Sequence, residues 1–502
     1  MAALKPPSVR PKGPRRKKLF LWLIAGGAAV IVGVGSWQVV NLLTATCGGG
    51  TSTYQGECVG ATDGSYVFAQ SLAAIEATIK TQDAQARATG DYVSIAILTP
   101  LTSVQGSDVT PERVRQQMEG AATAQAYLNG QGFRPAIRLL LANEGSQQQA
   151  WPQVVSQLQH WPADQHLIAV VGVGLSTTET VRAARQLAST ASPLPMIGSV
   201  DTGDGLNTSG PQPPLVPAAL SGRINGLVRV EPSVADEVTL LSQYYGANLS
   251  KASPNAEPHK RVLSPEAVLV YDNDPNDLYT GSLSLDFSQR FGAHIIDKKQ
   301  FAPGVDQPGE FASIANDVCA PGATSTPVVL YAGRESAFPD FIDKLRTQTN
   351  CPSRDTITVL TGADAESLNA AMTGPNPDGP AIDVVYPNIA DSRHLEPWYR
   401  KAFEGQPADV GASWAIMTFD AVTAAEQSAR LASQGSSIPP TPSAVTGLIY
   451  DFNKLTDPIK GATGPFVITS DGNEGCQWIP LIVDQNGTFR VLSQTQMDCP
   501  AS

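Results

Sequence analysis

The sequence predicts an α/β protein with two doubly wound lobes, each a parallel sheet with helices on both faces, joined by a hinge and preceded by one N-terminal transmembrane helix. From Tyr92 onward, short apolar runs alternate with segments of helical period, which is the pattern of βαβ units. A loose Gly/Pro-rich stretch at Gly203–Pro217 interrupts this series and separates two sets of strands. An uncharged run from Leu19 to Leu43 predicts the membrane span.

The elements of the lobes follow from where the apolar residues recur. The predicted strands are Tyr92–Leu98, Ala136–Leu141, Leu167–Val171, Pro195–Ile197, Ala267–Tyr271, Pro327–Tyr331, Ile357–Leu360 and Ile382–Tyr386. The predicted helices include Pro111–Leu128, Trp151–Gln159, Thr177–Ala188, Val234–Tyr245, Leu278–Phe291 and Ala337–Arg346.

The segments before and after this series of strands and helices show different sequence patterns. Residues 44–64 are rich in Gly, Thr and Ser and predict a membrane-proximal linker, and the apolar spacing in 66–88 predicts an amphipathic helix. Helices at about 412–433 and 442–455 precede Phe466–Ile468 and two further apolar runs that predict an antiparallel end. The predicted organisation is a basic tail at 1–18, a transmembrane signal-anchor at 19–43, a Cys-containing linker and helix at 44–90, lobe 1 at 91–225, lobe 2 at 226–385, and a return to lobe 1 with a C-terminal crossover at 386–502.

The charge distribution excludes one class of partner. The 502 residues carry a formal charge of -12, yet residues 1–18 hold seven bases and no acid. The remaining chain therefore has 27 bases against 46 acids, a charge near -19. A body this acidic lacks the positive surface that a phosphate backbone requires, so we expect no nucleic-acid partner.

The run at 19–43 is long enough to span a bilayer, which takes about 20 apolar residues. The basic segment before it predicts a cytoplasmic N-terminus and an extracellular main domain on a single-pass membrane protein. Two alternatives stay open. A cleaved signal usually has a shorter apolar region, of about 7–15 residues. Lipid attachment at Cys47 would place Thr46, which is bulkier than the small residue expected there, just before the modified cysteine.

Cysteines and histidines point to disulfides and away from metal. All six cysteines follow the anchor, on the predicted oxidising side, and an even count there indicates disulfides. Six cysteines allow 15 connectivities, of which pairing of sequence neighbours is the simplest: Cys47 with Cys58, Cys319 with Cys351, and Cys476 with Cys499. The histidines stand singly, with no HxxxH or CxxC pair, so no metal site is predicted: His160, His166, His259, His294 and His394.

Enzyme and cofactor motifs are weak or missing. The turn from Gly172 to Thr177 follows a strand and opens a helix, but Thr177 replaces the third glycine of the dinucleotide fingerprint. No GxSxG elbow occurs. The carboxylate pairs Asp272/Asp274 and Asp201/Asp204 are compatible with glycosidase-type chemistry, although the sequence around Asp272 is more typical of a solvated turn. We expect no enzyme and no cofactor.

Several short motifs follow one another in a recognisable order. They are Met118–Ala122, Val170–Gly172 before the Ser176/Thr177 turn, Pro195–Gly198 with Thr202, Val270–Asp272 with Tyr279–Gly281, Phe301–Gly304 before Asp306 and Phe311, and Phe419–Val422. Over about 400 residues, from Tyr92 to Leu492, this order resembles the type I periplasmic binding proteins, particularly the Leu/Ile/Val substrate-binding group of ABC transporters. The chain also looks like membrane-anchored actinobacterial members of that family.

The resemblance implies a clam-shell closure of two lobes on a ligand. Ser176, Thr177 and Thr202 would hold a ligand carboxylate from lobe 1. Tyr279 and Asp364 would add an aromatic contact and an acid for the ligand ammonium from lobe 2. Charge-assisted bonds of this kind are about twice as strong as neutral ones.

The implied function is non-enzymatic capture of a small, amino-acid-like ligand for an ABC importer, whose permease would be the membrane partner. The alternative is a membrane-anchored sensor or receptor ectodomain that uses the same cleft to regulate another membrane protein.

Overall fold

The computed structural model describes residues 47–499, apart from 105–106, 108, 190–192, 207–216, 218–219, 250–261, 305–306, 320–325, 349–350, 352–355, 369–373, 375–378, 407–409, 435–438 and 486. The basic tail at 1–18, the predicted anchor at 19–43, His259 and Asp306 lie outside the described residues. None of the helices within them combines the length and the apolar character needed to cross a membrane.

Lobe 1 is built on a sheet of seven described strands in the order β1-β2-β4-β3-β5-β6-β7. The strands from β3 to β7 run parallel, and β1 and β2 are antiparallel at one edge. Buried side chains on the two faces of the sheet form separate hydrophobic clusters under the helices. The elements are β1 (Ser52–Tyr54), β2 (Glu57–Thr62), α1 (Ala73–Ala88), β3 (Tyr92–Thr99), α2 (Pro111–Gly130), β4 (Ala136–Asn143), α3 (Trp151–Gln159), β5 (Leu167–Gly172), α4 (Thr178–Ala188), β6 (Met196–Gly198) and β7 (Leu227–Arg229).

Lobe 2 repeats the plan with a sheet of seven described strands in the order β17-β16-β12-β11-β10-β8-β9. Its first elements are α5 (Val234–Asn248), β8 (Ala267–Asp272), α6 (Leu278–Arg290), β9 (Ile295–Phe301), α7 (Gln307–Val318), β10 (Val328–Ala332), α8 (Phe338–Arg346), β11 (Thr356–Thr361) and β12 (Ala381–Pro387). The chain then forms α9 (Pro397–Ala402), α10 (Ser413–Ala432), α11 (Pro442–Ile449), β13 (Ile459–Gly461), β14 (Gly464–Ile468), β15 (Glu474–Gly475), β16 (Trp478–Gln485) and β17 (Thr488–Gln496). Helices α10 and α11 pack on lobe 1, and β16 and β17 complete the sheet of lobe 2.

The predicted α/β class with two doubly wound lobes is confirmed, and so is the antiparallel end. Each predicted strand appears within two residues of its expected bounds, because the central strands are buried on both faces and read as continuous apolar runs. Several elements were missed besides those before β3: strand β7, which has only three residues, the edge strand β9, helices α7 and α9, and the short strands β13 and β15. The sequence of β9, IIDKKQF, carries the charges typical of an exposed sheet edge and does not show a buried pattern.

The prediction of a linker over residues 44–64 was wrong. Strands β1 and β2 lie there, and β2 pairs antiparallel with β4, with Gly60 opposite Asn143. The Gly-rich composition concealed a strand whose residues from Cys58 to Thr62 are nevertheless buried. The amphipathic helix after it is present but begins later, at Ala73, after a 3-10 turn.

The predicted disulfide pairing is confirmed. Cys47 is bonded to Cys58, Cys319 to Cys351, and Cys476 to Cys499. The first bond attaches the start of the described chain to β2 of lobe 1, and the third attaches the end of β17 to the segment that enters β16.

Within the described residues, the chain crosses between the lobes three times. The crossings are 230–233 after β7, 388–396 between β12 and α9, and 476–477 before β16. In two-lobed proteins, hinge motion takes place at such connections.

The crossing of α2 and α10 under the lobe 1 sheet depends on Gly120. A Cβ atom at this position would lie 2.2 Å from the carbonyl oxygen of Ala415 on α10. We expect Gly120→Ala to lower the free energy of unfolding by at least about 2 kcal/mol, because backbone atoms cannot move aside without separating the helices. Thermal unfolding of the purified full chain measures this. Gly130→Ala, on the same helix but with open space around its Cβ position, is the matched control and should be neutral or stabilising by up to about 1 kcal/mol. Equal effects of the two substitutions would contradict the close crossing.

Candidate functional site

The carboxyl ends of the parallel strands of the two lobes face each other across a cleft. At its centre, the turn after β5 meets the turn after β8. The N–H of Leu278 donates to the carbonyl of Ser176 at 2.9 Å, and the N–H of Thr178 donates to the carbonyl of Asn276 at 2.9 Å. These two backbone hydrogen bonds join lobe 1 directly to lobe 2, so the lobes are in contact at this point.

Two helices begin at this contact, one from each lobe. The side chain of Thr177 accepts from the N–H of Thr180 and caps α4. The side chain of Asp277 accepts from the N–H groups of Tyr279 and Thr280 and caps α6. The positive ends of both helix dipoles therefore point into the cleft, where they favour negative charge.

Of the residues predicted on lobe 1, Ser176 and Thr202 are buried and Thr177 is partly buried, and all three are engaged with protein groups. The hydroxyl of Ser176 accepts from the N–H of Gly203 at 2.9 Å. The hydroxyl of Thr177 donates to Gln148 at 3.1 Å. The carbonyl of Thr202 accepts from the N–H of Val234, the first residue of α5, at 2.9 Å. Thr202 thus lies next to a hinge crossing.

The residues predicted on lobe 2 contact each other and an arginine. The N–H of Asp364 donates to the hydroxyl of Tyr279 at 3.2 Å. The guanidinium of Arg334 lies over the Tyr279 ring, 4.7 Å from its centroid, and 3.7 Å from the Asp364 carboxylate. Burial raises the pKa of Asp364 to about 6, although Arg334 opposes the shift. The structure therefore brings Tyr279 and Asp364 together.

Arg334 was not singled out from the sequence, and it links this group to lobe 1. It binds both carboxylate oxygens of Asp277, at 2.6 and 2.9 Å, and donates to the carbonyl of Ser176 at 3.3 Å. A guanidinium thus stands where the resemblance implies the ammonium of a ligand. Arg334 lies in Gly333-Arg334-Glu335 directly after β10, and this position at a strand end of lobe 2 is its one signal in the sequence.

A second arginine also joins the two lobes. Arg113, in the first turn of α2, binds Glu335 at 3.0 Å and Glu366 at 2.6 Å, both on lobe 2. Its guanidinium also lies 5.2 Å from the centre of the Trp414 ring. Burial opposes the charged form of Glu366, but Arg113 and the hydroxyl of Ser413 keep its pKa below the ordinary value.

A cavity of about 530 Å³ lies between the lobes beside this ion network. That volume is typical of small-molecule sites. Its lining comes from both lobes and from the connection between them: Thr110, Glu112, Arg113, Gln116, Glu335, Pro339, Glu366, Ser367, Gly411 and Ala412. A larger groove of about 690 Å³ lies between α1 and α2 on lobe 1 alone and does not reach the cleft.

Acidic side chains follow several strands of lobe 1 and were not predicted as a group. Glu144, Asp201 and Glu231 come after β4, β6 and β7 and are fully buried. Burial raises the pKa of Glu144 to about 8 and that of Glu231 to about 7. Burial and the neighbouring Glu231 raise the pKa of Asp201 well above its ordinary value. The lobe 1 side of the cleft is therefore rich in carboxyl groups.

The weaker motifs have structural roles in the described chain. Gly174, in the turn compared with the dinucleotide fingerprint, packs directly against Gln148 and Glu144. The carboxylate of Asp272 accepts from the N–H of Asp274 at 2.8 Å, which confirms the turn there. Among the described residues, no group of three His, Cys, Asp or Glu side chains is arranged to hold a metal ion.

Structural comparison gives the relatives of this architecture. A substrate-binding protein of an ABC transporter from Desulfitobacterium hafniense, in complex with Leu, matches with a TM-score of 0.56 at 15% identity, over 80% of this chain and 100% of that one. The branched-chain amino acid transporter substrate-binding protein of Streptococcus pneumoniae, in complex with isoleucine, matches with a TM-score of 0.57 at 14% identity, over 81% and 99% of the chains. The chain has the fold of these substrate-binding proteins.

A third structure shows a different ligand on the same fold. The solute-binding protein of an ABC transporter from R. palustris, in complex with benzoate, has a TM-score of 0.55 at 13% identity, over 82% of this chain and 98% of that one. No protein-family model matches the chain, and no curated protein sequence matches it.

The buried carboxyl of Glu144 predicts a pH dependence of stability. In the folded state the pKa of Glu144 is about 8, raised from 4.5. At pH values between these two pKa values, the folded state therefore binds one more proton than the unfolded state. The free energy of unfolding therefore falls as pH rises through this window, by at most about 1.4 kcal/mol per pH unit from this group. Glu144→Gln keeps an acceptor for Gln148 and removes the titration, so the fall between pH 5.5 and 7.5 should be shallower in the variant. Unfolding midpoints at these two pH values measure it, and an unchanged slope would contradict the assignment.

Proposed function

We propose that this protein is a membrane-anchored extracellular solute-binding protein that captures a small ligand between its two lobes and delivers it to an ABC importer. The cavity between Arg113 on lobe 1 and Glu335 on lobe 2 is the observation that carries the proposal. A ligand that contacts both lobes favours the closed arrangement by as much as it binds that arrangement better than the open one. Such a protein is not an enzyme, because it needs only capture and release.

The architecture supports this role over both lobes. The matched substrate-binding proteins are covered over 98–100% of their own lengths, so both lobes and the hinge have counterparts in them. Their ligands, Leu, isoleucine and benzoate, are small carboxylates, which supports a small-molecule ligand here. The partner would be the membrane permease of the importer.

The anchor is part of the proposal. The uncharged run ends at Leu43 and Cys47 follows four residues later, a length of chain that spans at most about 14 Å. Because Cys47 is bonded to Cys58 in β2, an anchor at 19–43 would hold lobe 1 close to the extracellular face of the membrane that it spans. A lipidated Cys47 could not form this disulfide.

Ligand capture predicts a solute that stabilises the fold. We expect at least one member of a panel of amino acids, peptides, sugars and nucleosides to raise the thermal unfolding midpoint of the full chain in detergent. A ligand at 100 times its dissociation constant stabilises the fold by about 2.7 kcal/mol. Gln116→Trp, which fills the cavity between the lobes, should abolish that shift. Gln85→Trp, in the outer groove of lobe 1, is the control and should retain it. No shift with any solute would contradict capture.

A transmembrane span and a lipid anchor differ in whether the protein depends on Cys47 to stay in the membrane. With a transmembrane span, Cys47→Ser loses a disulfide but should stay in the membrane fraction through an alkaline carbonate wash. Cys319→Ser, which removes a disulfide of lobe 2, is the matched control. Release of Cys47→Ser alone would instead identify Cys47 as the site of a lipid anchor.

A further inference from the structure

Helix α1 of lobe 1 presents positive charge to the solvent. Its two acids, Glu76 and Asp83, point inward and are 0% exposed. Its two bases, Lys80 and Arg87, are exposed, and Ala84 lies between them on the same face, because side chains three or four residues apart share one side of a helix. The chain after residue 18 has 27 bases against 46 acids, so a positive helix is an exception on this protein.

The segments that border α1 do not cancel this charge. In residues 63–91 and 126–136 the side chains that reach the solvent include three bases, Lys80, Arg87 and Arg134, against two acids, Asp63 and Asp91. Asp63 lies 3.6 Å from Arg87 and 3.2 Å from the buried Arg138, so one carboxylate serves two guanidinium groups. The surface along α1 therefore favours a negatively charged partner.

Two exposed apolar side chains border the same helix. Val67, 45% exposed, belongs to a segment fixed to the first turn of α1, where the N–H of Phe68 donates to Glu76 at 3.2 Å. Phe133, 44% exposed, precedes Arg134, which lines the groove of about 690 Å³ beside α1. Apolar side chains together with bases on one surface favour contact with a membrane that contains anionic lipid.

The attachment of lobe 1 to the proposed anchor brings this surface near the membrane. Cys47 follows the uncharged run by four residues and is bonded to Cys58 in β2. Strand β2 pairs with β4 at one side of the sheet, and the N–H of Leu139 in β4 donates to Asp83 of α1 at 2.9 Å. Helix α1 therefore lies over the part of the sheet that is tied to the anchor.

We propose that lobe 1 lies on the membrane surface through its α1 face, formed by Val67, Lys80, Arg87, Phe133 and Arg134, and that this face binds the headgroups of anionic lipids. The inference rests on the membrane anchor of the proposed function and adds the orientation of lobe 1. All five residues belong to lobe 1, so lobe 2 stays free to rotate while lobe 1 is held.

Fluorescence quenching on the full chain in lipid nanodiscs tests this contact. A genetically encoded fluorescent residue replaces Ala84 of α1 in one sample and Asp343 of α8 on lobe 2, 61% exposed, in another. Lipids with a nitroxide on the headgroup quench a fluorophore that lies at the membrane surface. With equal parts of phosphatidylcholine and phosphatidylglycerol, we expect stronger quenching at Ala84 than at Asp343.

The difference should depend on anionic lipid and on salt. Discs of phosphatidylcholine alone should lose most of it. Raising NaCl from about 0.1 M to about 1 M shortens the Debye length from about 10 Å to about 3 Å, and should likewise reduce the quenching at Ala84.

Variants connect the contact to the α1 face. A base near an anionic surface strengthens binding about fivefold, the equivalent of about 1 kcal/mol. Lys80→Glu should therefore lower the ratio of docked to undocked protein at least about fivefold, and Phe133→Ser should lower it as well. The matched controls, Lys298→Glu and Phe489→Ser, change an exposed base and an exposed phenylalanine of lobe 2 and should leave the ratio unchanged.

The outcomes separate this inference from the proposed function. Equal quenching at Ala84 and Asp343 in anionic discs overturns the lipid contact and leaves the anchor and solute capture intact. Weak quenching at Ala84 by lipid, together with protection of Ala84 from iodide in solution, assigns the α1 face to a second copy or another protein and also overturns it. Loss of the full chain from the discs overturns the anchor itself.

Discussion

Arg113 is a buried charge on lobe 1 whose partners, Glu335 and Glu366, belong to lobe 2. A buried guanidinium separated from its carboxylates costs several kcal/mol unless water replaces them. Its pairing therefore couples two properties of the molecule, the relative position of the lobes and the hydration of the cleft. Three crossings connect the lobes, and the two ion pairs of Arg113 hold the lobes together beside the cavity.

The centre of the cleft adds a second constraint. Arg334 is bound by Asp277, lies over Tyr279 and reaches the carbonyl of Ser176 on lobe 1. The groups expected to recognise a zwitterion are thus occupied by a side chain of the protein itself. We consider the cavity beside Arg113 and Glu335 to be the place left for a ligand.

The sequence predicted the lobes well because buried parallel strands are continuous apolar runs and the helices between them have clear periodicity. It failed at β2, where Gly and Thr replace the usual apolar residues, and at β9, an edge strand with lysines. Ser176, Tyr279 and Asp364 lie where the lobes meet, since strand ends gather there, and their role in ligand binding stays a prediction. Arg113, Arg334 and Glu335 were not expected, because their pairing joins residues more than 200 positions apart or depends on side-chain direction, which local patterns do not contain.

The distance between the lobes, measured by double electron–electron resonance, tests the central claim most directly. Spin labels on genetically encoded residues at Ala126 of α2 and Asp343 of α8, both exposed, would report lobe rotation without disturbing the disulfides. The account predicts a broad or longer distance distribution in Arg113→Ala, and a shorter, narrower one in the unsubstituted chain saturated with a solute that raises its thermal unfolding midpoint. Identical distributions in the variant, the free protein and the saturated protein would mean that the lobes do not move, and would contradict ligand capture by closure.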